Sequence, residues 1–345
     1  MRIAAEQLEI WITNLLSVWS YSPEDAAYLA NTLVDANLRG IDSHGVIRLA
    51  AYERRIEHGL ANPTGVPIVS GAGTALRVDA NGAVGQIAAR AAAEAVLAAA
   101  LENGIAAVSI YGSTHFGAAG FYARWLASRG AIGIVVSNSE PIVVPFGGRS
   151  PLLGTNPFAF AAPTSTSPIS LDMATSTSAM GKVLLAQQEG RSVPNDWGVD
   201  ADGKPTTDPN AISALLPAGG PKGYALGFLV EILGGVLTGA AMTHGIGNMY
   251  GNFERPQDVG HFMIALDISR FLPVHEFIAR MDALVAEARA IEPAPGFPGV
   301  MVPGEPEQRT CATRVAEGIP FAEATIDELR ALGDKAGVAF PEISE

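Results

Sequence analysis

Three side chains near the start of the chain have the types and the spacing to bind a small carboxylate and move a proton. His44, Arg48 and Tyr52 occupy positions i, i+4 and i+8, which share one face of an α-helix. A guanidinium pairs with a carboxylate through forked hydrogen bonds, and an imidazole exchanges a proton near neutral pH. We predict that one helix, capped by Asp42 or Ser43, carries this row. The alternative interpretation is a solvated polar face opposite the core.

A second histidine, His115, follows a predicted buried strand and precedes a predicted helix. Loops in that position often carry ligand-binding residues, so we expect His115 to take part in the site. The remaining histidines lack such a context and are interpreted as structural: His58, His244, His261 and His275. No His-Glu-x-x-His spacing occurs, and the single Cys311 excludes an internal disulfide and a multi-cysteine zinc site. We predict no metal.

Glycine-rich turns are the candidate anion sites. Gly219 to Gly223 precede a predicted helix and include Lys222, so free backbone N–H groups and an ammonium would together suit a pyrophosphate. The alternative is an ordinary tight turn. The turn at Gly304 and Glu305 is a weaker example. Gly71-Ala72-Gly73 precedes its strand and lacks the third glycine of a dinucleotide fingerprint, so no Rossmann turn is predicted.

The elements that must position these residues change character along the chain. Three helices with apolar stripes precede Asn62-Pro63. From Thr74 to Asp267, strand and helix patterns alternate, which indicates an α/β layer with ligand loops at strand ends. A capping box at Thr325–Glu328 is predicted to open the last helix. Further predicted elements are strands at 105–111, 132–137, 156–162, 169–172 and 262–267, and helices at 86–102, from 178, up to 237 and at 274–290.

The composition limits the classes of function. A chain of 345 residues with 48% hydrophobic and 17% charged residues is globular and has room for two or three domains. Its formal net charge of −13 argues against nucleic acid and anionic membrane surfaces as partners. The first residues lack the pattern of a signal peptide, and the apolar stretch near 225–241 contains Glu231 and is short for a membrane span. We therefore expect a cytoplasmic protein.

Six short motifs in series resemble those of one enzyme family. They are Ser43-His44-Gly45 with Arg48 and Tyr52, Thr114-His115-Phe116-Gly117, Pro145-Phe146-Gly147-Gly148, Gly154-Thr155-Asn156-Pro157, Asp172-Met173-Ala174 and Gly220-Pro221-Lys222-Gly223-Tyr224. Each is weak alone, but in this order they resemble the malate/L-lactate dehydrogenase family. The resemblance runs from about residue 3 to residue 340, and within the family it is nearest to ureidoglycolate dehydrogenases.

The resemblance implies a fold and an activity. The implied fold is α+β with a non-Rossmann NAD(P)-binding arrangement: a helical unit of residues 1–70 and 270–345, and an α/β sandwich unit of residues 71–269. The implied activity is hydride transfer between NAD or NADP and C2 of a small 2-hydroxy or 2-oxo acid of the ureidoglycolate, malate, lactate or sulfolactate type, in a homodimer. Alternatives are a cyclic imino-acid reductase, a metal-assisted lyase or hydrolase, and a catalytically silent binding protein.

The resemblance also implies roles for individual residues. His115 and His44 are the catalytic candidates, and either one is expected to move the proton. The expected substrate contacts are Ser43, Arg48, Tyr52 and Thr155. The expected cofactor contacts are Ser139, Asp172, Met173, Ala174, Lys222, Gly223, Gly304 and Glu305.

Overall fold

Ten α-helices and eleven β-strands lie within residues 1–343, the part of the chain that this computed structural model describes. The helices are α1 (Ala5–Val18), α2 (Pro23–Leu38), α3 (Leu49–Glu57), α4 (Gly85–Asn103), α5 (Ala119–Ala127), α6 (Met180–Gln188), α7 (Pro221–Glu231), α8 (Val274–Ala290), α9 (Glu305–Glu317) and α10 (Glu323–Ala336). The strands are β1 (Arg2–Ile3), β2 (Ile68–Ala72), β3 (Ala75–Asp79), β4 (Ile105–Ser113), β5 (Ala131–Ser137), β6 (Phe158–Ala162), β7 (Ile169–Met173), β8 (Gly198–Val199), β9 (Ala214–Leu215), β10 (Val259–Asp267) and β11 (Ile319–Pro320). None of these helices is long and apolar enough to cross a membrane.

Local sequence accounts for the buried face of α1 and for both ends of α2. The buried face of α1 is the predicted apolar stripe, made of Leu8, Trp11, Ile12, Leu15 and Leu16. Ser22 caps α2 by accepting a hydrogen bond from the N–H of Asp25 (3.1 Å), and Pro23 is the first helical residue. Gly40, with φ of 79°, lets the chain leave this helix. The apolar stripe predicted for the first helix is confirmed.

Seven strands form one mixed sheet in the order β2-β3-β4-β10-β5-β6-β7. β3 and β4 are parallel, and the other neighbouring pairs are antiparallel. β10, from much later in the chain, lies between β4 and β5 and pairs with both. The fold is therefore α+β. The alternation of strands and helices in the sequence predicted an α/β layer, and that prediction is wrong because most neighbouring strands are antiparallel.

Two hydrophobic cores support the structure. One contains residues of α1, α2 and α3 together with residues near the other chain end, and β1 pairs with β11 at Ile3 and Ile319. The other lies where α4 and α5 pack on the sheet. We keep the division into residues 1–70 with 270–345 and residues 71–269 as a proposal; Ser344 and Glu345 lie outside the described residues.

Three helices of the structure begin or end at residues other than those predicted from the sequence. The predicted helix around Arg48 is instead two 3₁₀ turns, Asp42–His44 and Val46–Arg48, which precede α3. α10 begins at Glu323 with Ala322 as its N-cap, so Thr325 lies inside its first turn and the predicted capping box is wrong. α7 ends at Glu231, and a π-helical turn, Ile232–Val236, follows it.

Candidate active site

The two candidate catalytic histidines face each other although they come from distant elements. His44 ends the first 3₁₀ turn, and His115 lies in the loop between β4 and α5. Their ring centroids are 5.3 Å apart, and the ring of Tyr52 in α3 lies 6.1 Å from that of His115. The structure thus brings together the row that the spacing suggested, through a different backbone path.

A buried asparagine explains why the chain breaks its helix at Gly45. Asn37 Oδ1 accepts a hydrogen bond from the N–H of Val46 (2.9 Å), and its amide donates to Asp42 Oδ1 (2.7 Å). A Cβ atom on residue 45 would lie 2.1 Å from Asn37 Oδ1. A glycine is therefore required beside His44, because a side chain there would displace Asn37.

The hydrogen bonds of His115 define which ring nitrogen carries the proton in the neutral form. Its Nδ1 accepts a hydrogen bond from the backbone N–H of Gly117 (3.4 Å), because an N–H group can only donate. The Tyr52 hydroxyl lies 2.8 Å from the same Nδ1 and itself accepts from Gln86 Nε2 (2.7 Å). Nδ1 is therefore the acceptor, Tyr52 donates to it, and the proton lies on Nε2.

Desolvation keeps both imidazoles neutral at neutral pH. Burial, reinforced by the guanidinium of Arg48, lowers the pKa of His44 to about 3. The pKa of His115 is held well below its usual 6.5 by burial and then by Arg48, His44 and His261. A neutral imidazole can exchange a proton with a substrate oxygen, whereas an imidazolium has no free ring nitrogen to accept one.

Arg48 is held in place but keeps its terminal nitrogens free. Its Nε donates to the carbonyl oxygen of Ser43 (2.5 Å), and its guanidinium lies over the ring of Tyr250 at 5.3 Å from the centroid. Within residues 1–343 its two Nη groups make no hydrogen bond. They form an open fork of the kind that binds a carboxylate. Ser43 Oγ lies 2.9 Å from His44 Nδ1 and so orients that ring.

A histidine interpreted as structural supports the His115 loop from the sheet. His261 in β10 is fully buried, and its two nitrogens bond Ser137 Oγ (2.8 Å) in β5 and Ser113 Oγ (2.9 Å) in β4. Phe116, the neighbour of His115, stacks on its ring at 4.0 Å. Burial lowers the pKa of His261 to about 3. The imidazole therefore ties three strands together directly beneath the site.

The candidate cofactor residues Ser139 and Ala174 belong to neighbouring loops joined by hydrogen bonds. Ser139 N donates to Oδ1 of the buried Asn156 (3.2 Å), and Asn156 Nδ2 donates to Glu231 Oε2 in α7 (2.8 Å). The carbonyl oxygen of Thr155 accepts from the N–H of Thr175 (2.8 Å), the residue after Ala174. The Thr155 hydroxyl, expected to contact substrate, makes no hydrogen bond within residues 1–343.

The N-terminus of α7 joins the same network and fits an anionic cofactor. Ala218 donates to the carbonyl oxygen of Thr175 (2.9 Å) and accepts from the N–H of Gly223 (2.9 Å). Gly220, the N-cap, has φ of 66°, a conformation that a glycine adopts without strain. Lys222 is exposed and has no partner within the described part of the chain. The free ammonium and the helix N-terminus fit the phosphates of NAD(P).

At the end of β7, Asp172 is already bonded within the fold. Its Oδ2 accepts from the N–H of Gly120 in the first turn of α5 (2.8 Å). Desolvation raises the pKa of this carboxyl group, opposed by that hydrogen bond and by Arg124. The next residue, Met173, is 38% exposed. For a cofactor, this segment therefore offers Asp172 Oδ1, backbone groups and the exposed Met173.

The side chain of Glu305 holds its own turn. It accepts hydrogen bonds from Arg309 (2.6 Å) and from Arg289 (3.1 Å). Gly304, with φ of 87°, packs so closely on β7 that a Cβ atom there would lie 2.7 Å from the carbonyl oxygen of Ser170. Only backbone groups of this turn remain for a ligand.

Sequence reasoning missed several residues that shape the site. Gln86 lies in an alanine-rich helix, and Asn37 lies within α2, so neither belongs to a motif. Gln257 accepts from the N–H of His115 (3.2 Å) across a long separation in sequence. No local signal marks such contacts. Among residues 1–343, no group of three histidine, cysteine or acidic side chains is arranged to hold a metal ion.

Comparison with known proteins agrees with the geometry. The family model described as malate/L-lactate dehydrogenase matches residues 3–330. The ureidoglycolate dehydrogenase (NAD(+)) of Escherichia coli is 38% identical over 325 residues, which are 94% of this chain and 93% of that protein. The L-sulfolactate dehydrogenase of Methanothermobacter thermautotrophicus is 36% identical over 335 residues, 95% of each chain.

Solved structures show the same fold. The sulfolactate dehydrogenase from Methanocaldococcus jannaschii has a TM-score of 0.93 at 33% identity and covers 99% of this chain and 98% of its own. The delta1-piperideine-2-carboxylate reductase from Pseudomonas syringae has a TM-score of 0.86 at 34% identity, with 96% and 99% covered. By sequence and by structure, this chain belongs to the malate/L-lactate dehydrogenase family.

Proposed function

We propose that this dehydrogenase oxidises small 2-hydroxy acids, or reduces the corresponding 2-oxo acids, with NAD or NADP. The observation that carries the proposal is the open guanidinium fork of Arg48 beside two neutral histidines. A carboxylate on that fork would bring its C2 oxygen toward the imidazoles. Related proteins named for NAD(+) and for NADP(+) support either cofactor. Bound NAD(P) would accept or supply the hydride at C2.

In this proposal the residues of the chain have separate tasks. Arg48 binds the substrate carboxylate. During reduction, His115 donates its Nε2 proton to the C2 oxygen while Nδ1 takes the proton of Tyr52, which water then replaces; oxidation runs in reverse and returns that proton to water. Gln86 holds Tyr52 in position. Ser139, Ala174 and Lys222 would hold the cofactor.

A matched pair of arginine variants tests the substrate site. Purified protein is mixed with NADH or NADPH and a panel of 2-oxo acids, and with NAD or NADP and ureidoglycolate, malate, lactate and sulfolactate, and nicotinamide absorbance is followed. Arg48→Ala should raise KM and lower kcat/KM by about 100-fold or more, since the charged hydrogen bonds are lost. Arg54→Ala, exposed on the adjoining helix α3, should behave as wild type. If the wild-type protein changes the nicotinamide absorbance with no combination of cofactor and substrate, the proposed activity is refuted.

A cyclic imino-acid reductase is the second candidate. The similarity to the piperideine-carboxylate reductase favours it, because a carboxylate fork and a proton donor would also suit a C=N bond next to a carboxylate. Oxidation of NADPH by piperideine-2-carboxylate, with no turnover of 2-oxo acids, would select this alternative.

We also propose a homodimer. α7 and the turn after it expose a row of large apolar side chains that water would disfavour: Leu226, Phe228, Leu229, Ile232, Val236 and Leu237. Light scattering on the purified protein should give twice the mass of one chain, and Leu229→Glu should lower it.

A further inference from the structure

One carboxylate near the substrate fork has no task in the proposed chemistry. Glu140 follows Ser139 in the loop after β5, and its Oε2 accepts a hydrogen bond from the N–H of Met249 (3.2 Å). The next residue, Tyr250, is the one whose ring lies over the guanidinium of Arg48. The adjacent residues Met249 and Tyr250 therefore contact Glu140 and Arg48 respectively, which places these two charged groups near each other.

Electrostatics agree with this placement. Desolvation raises the pKa of Glu140, and the guanidiniums of Arg48 and Arg55 oppose part of that rise. Glu140 in turn stabilises the charge of Arg48. Within residues 1–343, however, Glu140 and Arg48 form no direct ion pair. Glu140 Oε1, unbonded within that part of the chain, and the Nη groups of Arg48 are therefore both available to a ligand.

The charges near Glu140 and Arg48 favour one negative charge on the substrate. Arg48 and Arg55 each carry a positive charge, and Arg55 is 1% exposed, with Nη1 donating to the carbonyl oxygen of Asn248 (2.9 Å). Glu140 cancels one of these charges, and the histidines are neutral. A substrate carboxylate on Arg48 therefore completes the balance. A second anionic group would face Glu140 without a partner.

We propose that Glu140 selects 2-hydroxy and 2-oxo acids whose C2 substituent carries an uncharged hydrogen-bond donor, such as an amide or ureido N–H. The same carboxylate excludes acids with a second carboxylate or a sulfonate. Glu140 Oε1, which has no partner within the described residues, is the acceptor for that donor. This inference rests on the proposed function, because it takes Arg48 as the carboxylate site.

Two nearly isosteric ions test the inference by binding alone. Oxamate and oxalate share a carboxylate and a C2 oxygen, but oxamate carries an NH₂ group where oxalate carries a charged oxygen. Calorimetric titration, with and without NADH, should give the wild type a Kd for oxamate about tenfold below that for oxalate. Equal affinity, tighter oxalate binding, or no binding of either ion would overturn the inference.

Three variants identify the group responsible. Glu140→Gln keeps the size and the acceptor for Met249 but removes the charge, so the two Kd values should come within about threefold of each other, mainly through tighter oxalate binding. Glu140→Ala, which lacks any acceptor, should show the same convergence. Glu328→Gln, exposed in α10, should keep the wild-type ratio. A wild-type ratio in both Glu140 variants, with melting curves that show folded protein, would contradict the proposal.

Turnover separates this inference from the activity on which it rests. If the proposed function fails, no acid changes the nicotinamide absorbance. If only the inference fails, malate and sulfolactate are turned over with a kcat/KM equal to or above that of ureidoglycolate. The expected order is the reverse, and Glu140→Gln should raise kcat/KM for malate about tenfold.

Discussion

The position of one proton distinguishes His115 from His44. His115 presents Nε2–H and accepts a hydrogen bond from Tyr52 at Nδ1, whereas within residues 1–343 the ring of His44 bonds only the adjacent Ser43. We therefore predict that His115→Ala lowers kcat by about 10²- to 10⁴-fold with little change in KM. Steady-state kinetics measure the split, with the exposed His275→Ala as control. A loss of this size in His44→Ala alone would transfer the role to His44.

The same environment predicts an unusual pH profile. An imidazole at its ordinary pKa of 6.5 would lose its neutral form progressively below that pH. Because burial and Arg48 lower the pKa of His115, its neutral form persists well below 6.5. We expect kcat for 2-oxo-acid reduction, in which neutral His115 donates from Nε2, to stay flat from about pH 6 to about pH 8. A midpoint near 6.5, measured with a pH-insensitive substrate carboxylate, would contradict this account.

At the scale of elements, the break at residue 45 determines where His44 and Arg48 point. Gly45→Ala would place a methyl group against the side chain of Asn37, which holds both 3₁₀ turns. We predict a loss of about 1–3 kcal/mol in the free energy of unfolding and a lower kcat/KM. Denaturant titration and kinetics measure both. Gly299→Ala, where a Cβ meets only open space, is the matched control, and equal stability of the two variants would refute the prediction.

The elements also show what sequence patterns can and cannot supply. Regular spacing grouped His44, Arg48 and Tyr52, and the structure brings His44 and Tyr52 to the ring of His115 although two 3₁₀ turns replace the predicted helix. The break between the turns depends on Asn37, a residue type with no periodic signal. In the same way, local alternation gave the strands, but the place of β10 between β4 and β5 comes from contacts distant in sequence. Gln86 and Glu140 gain their meaning only through such contacts.

For the whole molecule, the formal net charge of −13 opposes the approach of any anion. Both NAD(P) and the carboxylate substrate are anionic, so the average field slows their association. The site counters that field locally with Arg48 and, in the proposed cofactor site, with the ammonium of Lys222, which has no partner among residues 1–343. Salt screens both interactions, but the effects on binding are opposite. Screening the long-range repulsion strengthens anion binding, whereas screening the short-range attraction weakens it.

This opposition yields a prediction for Lys222. Raising the ionic strength from 0.01 to 0.15 M shortens the Debye length from roughly 30 Å to roughly 8 Å, which screens the molecular field more than a contact pair. In Lys222→Gln the contact is gone, so NADH should bind about tenfold more weakly than in wild type at low salt. Its binding should then improve as salt screens the remaining repulsion, and more than wild-type binding does. Fluorescence titration at both salt concentrations measures this, with the exposed Lys204→Gln as control. An equal response in all three proteins would show that Lys222 does not contact the cofactor, because only a lost attraction leaves the repulsion unbalanced.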